Sequence, residues 1–202
     1  MNWRRTNTDV VVEDDDIDSD DENIIKTVGS DIFFYAEVNR KTIFNLIENI
    51  KKLEINLLKK AVELHGYDPE IRIFIHTDGG DVYSGFSAMD HIKNSRVKIT
   101  TIADGCCASA GTFILLAGKQ RLMNPHSYIL IHQISSGGFW GKFEELKDEI
   151  QTCVKIMDMV KSVYTENTEI PQKKLKTLMK RDVYLSSEEC LQYQIVSGLA
   201  CP

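Results

Sequence analysis

Twice in this chain a run of β-like residues ends in a turn of small residues and passes directly into a helical stretch. The first unit is Ile71-Arg72-Ile73-Phe74-Ile75-His76, then Thr77-Asp78-Gly79-Gly80-Asp81, then a helical pattern near residues 82–93. The second is the run 97–103, then Asp104-Gly105-Cys106-Cys107-Ala108-Ser109-Ala110-Gly111-Thr112, then the apolar stretch 113–117 closed by Gly118. Strands whose apolar residues are nearly continuous are buried on both faces, as in a parallel sheet covered by helices. The repetition therefore predicts an α/β fold with a largely parallel sheet.

The flanking patterns fit that class. Residues 32–35 read as a first strand. Residues 42–64 read as a long helix, with Ile43, Leu46, Ile47, Ile50, Leu53, Leu57, Ala61 and Leu64 on one face and Gly66 beyond its end. Short strands are expected over 120–124 and 127–132. A second long helix is expected over 142–166, where Phe143, Leu146, Ile150, Cys153, Met157, Val160 and Tyr164 form a seam with steps of three and four. Val154, Ile156, Met159 and Val163 lie off that seam, so this helix is apolar on more than one side and fits a subunit contact. Pro171 opens a shorter helix to Met179, and Ser186-Ser187-Glu188-Glu189 is a helix-start signal.

Charge divides the chain. Its net charge is -6, but residues 13–22 hold eight acids in ten positions, and the rest is near neutral. Residues 1–23 are expected to be a flexible acidic arm, with Val10-Val11-Val12 its one apolar patch, ahead of a single domain over 24–202. No basic field exists to release counterions from a nucleic acid. The five cysteines form no CxxC pair and no even framework, and Cys106 and Cys107 are adjacent, which suits neither a bridge nor zinc. No apolar run reaches membrane-spanning length. A cytoplasmic protein without metal or membrane contact is the expectation. Gly111 to Gly118-Lys119-Gln120 is no phosphate loop, because six residues separate the glycines and Gln follows the lysine.

Three residues stand where sheet architectures present chemistry, at element ends and in the loops after them: Ser109, His132 and Asp182. Ser109 ends a small-residue turn ahead of a helix, where free amides favour developing negative charge. The Gly79-Gly80 turn is a second place with exposed amides. A serine nucleophile needs a base, and the base an acid to fix its tautomer. His76, His91 and His126 compete with His132 for the first role, and a serine in Ser109's place can also simply cap its helix.

Four ordered segments then carry a resemblance. They are Ile75-His76-Thr77-Asp78-Gly79-Gly80, Gly105-Cys106-Cys107-Ala108-Ser109-Ala110-Gly111, Ser127-Tyr128-Ile129-Leu130-Ile131-His132-Gln133 and Lys180-Arg181-Asp182-Val183-Tyr184-Leu185-Ser186. Residues 71–199 resemble the Clp protease proteolytic subunit of the crotonase-like superfamily. The resemblance implies repeated β-β-α units with a long handle helix. It implies a serine endopeptidase with Ser109 as nucleophile, His132 as general base and acid, and Asp182 as orienting carboxylate. It assigns the amides of Gly79 and Ala110 to the oxyanion hole. It further implies polypeptide substrates, a homo-oligomer of stacked heptameric rings joined through the helix at 142–166, a AAA+ ATPase partner and no cofactor of its own. A stand-alone processing peptidase and a non-catalytic assembly subunit are the alternatives. The chain departs from the family at Asp78, where proline is usual, and at Lys180, where an acid is common. Before residue 70 the match is faint.

Overall fold

The computed structural model describes residues 23–138 and 140–200. Apart from Asn23, the acidic arm lies outside the described residues. The elements in chain order are β1 (Ile24–Val28), β2 (Asp31–Tyr35), α1 (Arg40–Glu63), β3 (Glu70–Thr77), α2 (Val82–Lys93), β4 (Lys98–Ala108) and α3 (Gly111–Leu116). They continue with β5 (Gln120–Met123), β6 (Tyr128–Leu130), α4 (Phe143–Asn167), α5 (Gln172–Leu178), β7 (Tyr184–Leu185), α6 (Ser187–Gln192) and β8 (Gly198–Leu199). The sheet runs β1-β2-β3-β4-β5-β8, with β6 beside β4 and β7 beside β6. Pairing is parallel from β2 through β5, as the two repeated units predict. The β1–β2 hairpin is antiparallel, and the sequence reading did not foresee β1. Among the described residues no helix is long and apolar enough to cross a membrane.

The central strands bury their apolar residues completely: Ile71, Ile73, Ile75, Ala103 and Cys107 are at 0% exposure. Helix α1 starts at Arg40, ahead of the expected residue 42, because Asn39 caps it and forms a reciprocal capping box with Thr42. Its buried face holds Ile43, Leu46, Ile50 and Leu57.

That face also buries a charge, Glu54, 1% exposed. Its carboxylate accepts from Arg96 N at 2.5 Å and from Lys51 Nζ at 3.1 Å, so it ties α1 to the segment that opens β4. Burial pushes the Glu54 pKa up, but the Arg96 amide and the Lys51 and Arg96 charges outweigh it and hold the group below its ordinary 4.5. A lowered carboxylate contributes stability above its unfolded pKa and loses it as pH falls through the folded value. Glu54→Gln should therefore cost roughly 2–3 kcal/mol at neutral pH. In paired thermal melts that cost should shrink below pH 4.5; a pH-independent difference would contradict the ionic role.

Strand β4 departs most from expectation. Residues 104–108 were expected in a turn, yet the strand continues to Ala108. It exchanges partners on the way: 100–103 pair with β5, and 106–108 pair with β6. The register against β3 shifts at the same place, so that Thr77 faces Cys107. Side chains hold this kink. The Asp104 carboxylate accepts from Tyr35 Oη and from Asn124 Nδ2 at 2.7 Å, while Ser127 Oγ accepts from Gly105 N at 2.7 Å and donates to Ala103 O at 3.0 Å. Such a bulge re-aims the strand beyond it, and here it directs the chain towards Ser109.

Candidate active site

The end of β4 is pinned against β6, since Ala108 lies opposite Leu130 and Ser109 N donates to Leu130 O at 2.9 Å. Ser109 itself adopts φ 53°. A non-glycine residue rarely occupies that left-handed region, and such strain clusters where a side chain must be presented. The turn is locked from below. Thr112 Oγ1 donates to Ser109 O at 2.6 Å and stands 2.6 Å from Tyr164 Oη, buried on α4. With the threonine proton committed to Ser109, the tyrosine hydroxyl donates to Thr112.

Antiparallel β6 and β7 pair Ile129 with Leu185 and Leu130 with Tyr184. Continuing that register by two residues sets His132 opposite Asp182. The side chains meet: His132 Nδ1 lies 3.0 Å from Asp182 Oδ1, and Nε2 lies 2.8 Å from Ser109 Oγ. A carboxylate on Nδ1 fixes the proton there and leaves Nε2 as the acceptor of the serine hydroxyl. Gln133 N donates to Met179 O at 3.0 Å and holds the strand just past the histidine. The histidine side chain is 26% exposed and the aspartate 78%. Of the competing histidines, His76 is engaged elsewhere, with Nδ1 2.9 Å from Asp104 O.

The two glycines of the 77–81 turn differ. Both have positive φ, 103° at Gly79 and 141° at Gly80. A Cβ on Gly79 would fall 2.5 Å from Ser109 Cβ, so only glycine lets this turn lie against Ser109. The Gly79 amide, expected to serve the oxyanion hole, donates instead to Thr77 Oγ1 at 3.1 Å. The Gly80 and Ala110 amides make no hydrogen bond among the described residues, and both residues line the cavity beside Ser109. A hydroxyl two residues ahead of an amide is a common local partner, so Thr77 was the sequence signal that separates the two glycines.

Cysteines near the site are poor rivals for the nucleophile. Burial, reinforced by the Asp78 carboxylate, pushes the Cys106 thiol up to about 11. Complete burial pushes Cys107 up as well. Neither is a thiolate at neutral pH.

A serine, an imidazole and a carboxylate in hydrogen-bonded line, beside two unengaged amides, can carry out acyl transfer. The profile of the Clp protease family matches residues 22–200. This chain belongs to the Clp protease family. Members of that family are serine-type peptidases. Over 131 residues the chain is 34% identical to the ATP-dependent Clp protease proteolytic subunit of Deinococcus radiodurans, covering 64% of each protein. Over 171 residues it is 30% identical to the subunit of the same name from Staurastrum punctulatum, covering 82% of this chain and 85% of that one. A point mutant of ClpP1 from Listeria monocytogenes has the same fold, with a TM-score of 0.72 at 23% identity over 86% of this chain and 92% of that one. The family match extends the resemblance back from residue 71 through α1 and the β1–β2 hairpin.

Proposed function

We propose that this Clp-family chain is a serine endopeptidase acting through Ser109, His132 and Asp182. The observation that carries the reading is the unbroken line from Ser109 Oγ through His132 to Asp182, at 2.8 and 3.0 Å. His132 Nε2 takes the hydroxyl proton as Oγ attacks the scissile carbonyl. The tetrahedral oxyanion lies on the Ala110 and Gly80 amides. His132 then gives the proton to the leaving amine, and a water activated by the same nitrogen hydrolyses the acyl-enzyme. Asp182 keeps the imidazole in the required tautomer. Turnover of fluorogenic peptides tests the reading, with inactivation by a fluorophosphonate as its covalent counterpart.

The chain works as a homo-oligomer, ring-shaped by family likeness, that takes polypeptides and meets a AAA+ ATPase partner. What supports assembly is α4. Val160, Val163 and Tyr164 of its second half are buried, whereas Phe143, Ile150, Val154 and Met159 are 70, 56, 54 and 54% exposed. Soluble monomers seldom leave such a surface uncovered, and a self-complementary contact between copies would cover it. Light scattering at low micromolar protein should give a large closed assembly. A monomer that still cleaves peptides would instead favour the stand-alone processing enzyme, with which Lys180 agrees. The described cysteines are free, in keeping with a reducing compartment such as the cytoplasm.

A further inference from the structure

A cavity of about 300 Å³ opens beside Ser109, between the Gly80–Tyr83 turn, the segment 132–136 and one face of α4. It adjoins both Ser109 and Ala110, the residues beside which a scissile carbonyl would lie. Its depth is apolar: Phe113, Val160 and Tyr164 are buried at 3, 2 and 1% exposure. The lining contains two acids, Asp81 and Glu149, and neither lysine nor arginine.

Helix α4 arranges this lining as a gradient. Tyr164, Val160, Ile156, Cys153 and Glu149 recur at steps of three and four, so they share one face. At 1.5 Å per residue, Glu149 stands about 10 Å along the axis from Ile156. The face thus passes from a buried aromatic floor to a carboxylate. Among the described residues that carboxylate has no ion-pair partner: the ion pairs of α4 there are Glu144–Lys147 and Asp158–Lys161. The residues three and four positions from Glu149 are Glu145, Leu146, Thr152 and Cys153, none of them a cation. Asp81 differs, because one of its oxygens accepts from Ser84 N at 2.8 Å and Ser84 Oγ at 2.6 Å to cap α2. It contributes fixed negative charge rather than an adaptable contact.

We propose that this cavity selects lysine or arginine at the substrate position immediately before the scissile bond, with Glu149 as the residue that determines the preference. The proposal rests on Ser109 being the nucleophile. Both side chains have an aliphatic stem and a charged tip, so the stem can lie on Ile156 and Val160 while the tip reaches the carboxylate. Leucine gains the same apolar contact and leaves Glu149 without a partner. A glutamate tip meets like charge from Glu149 and Asp81.

The test uses four fluorogenic peptides that differ only in that residue (Lys, Arg, Leu or Glu), with wild type, Glu149→Gln and Glu149→Lys. Comparing kcat/KM between peptides within one protein cancels any change in the amount of active assembly. In wild type, Lys and Arg should exceed Leu by about tenfold, and the margin should narrow as salt rises. Glu149→Gln should bring Lys and Leu close to parity. Glu149→Lys should raise Glu above Lys. A wild type that prefers Leu, or a Lys-to-Leu ratio unchanged in Glu149→Gln, overturns the proposal while leaving Ser109 in its role. Failure to cleave any peptide, together with no fluorophosphonate adduct on Ser109, overturns the catalytic reading instead.

Discussion

Replacing Ser109 with alanine is expected to reduce peptide hydrolysis by about 10⁴–10⁶-fold. The nearby thiols cannot substitute for the lost oxygen, since burial keeps Cys106 and Cys107 protonated at neutral pH. His132→Ala should lose a similar factor, because without a base on Nε2 the hydroxyl keeps its proton. The double variant should be hardly worse than either single one, as members of one relay act as a unit. Stability provides an internal control. Ser109 sits at φ 53°, a conformation that costs an L-residue about 1–2 kcal/mol. Ser109→Gly removes that penalty, so it should be inactive yet melt no lower than Ser109→Ala. Retained turnover in either serine variant would remove Ser109 from the chemistry.

Tyr164→Ala should produce the largest loss of stability among single substitutions near the site. The ring is 1% exposed, packs with its centroid 6.0 Å from that of Phe113, and ends in the hydroxyl that meets Thr112 Oγ1. Its removal leaves a cavity under the Ser109 turn and strips one partner from a buried threonine. Such truncations cost roughly 3–5 kcal/mol, which for a chain of this size lowers Tm by on the order of 10 °C. Tyr164→Phe keeps the packing and loses only the hydroxyl, for about 1 kcal/mol. Equal melting temperatures for Tyr164→Ala and wild type would show that α4 does not brace the turn. Should Tyr164→Ala fail to fold, the smaller shift of Tyr164→Phe still carries the comparison.

Much of this architecture was legible because its signals are local. Ile71, Ile73 and Ile75 announce a doubly buried strand, and the long helices show their faces through regular steps. What stayed hidden depends on distant partners. That β4 runs on to Ala108 depends on Asp104 finding Tyr35 and Asn124, which lie 69 and 20 positions away. Nothing local in the sequence separates Glu54 from the other acids of α1, because only the fold brings the Arg96 amide to it. Ser109, His132 and Asp182 could be named separately, but their meeting rests on the two-residue pairing of β6 with β7, too short to read from a pattern. That the Gly79 amide is engaged while the Gly80 amide stays open has a similar origin, since both glycines look alike until the Thr77 hydroxyl is placed.

The central claim is that His132, oriented by Asp182, activates Ser109. Treatment with a fluorophosphonate, followed by intact mass and peptide mapping, measures that activation directly. The expected result is one adduct per chain on Ser109 in wild type and a greatly slowed reaction in His132→Ala. Peptide turnover that continues with Ser109 unlabelled, or labelling of Ser109 at the same rate without His132, would contradict the account.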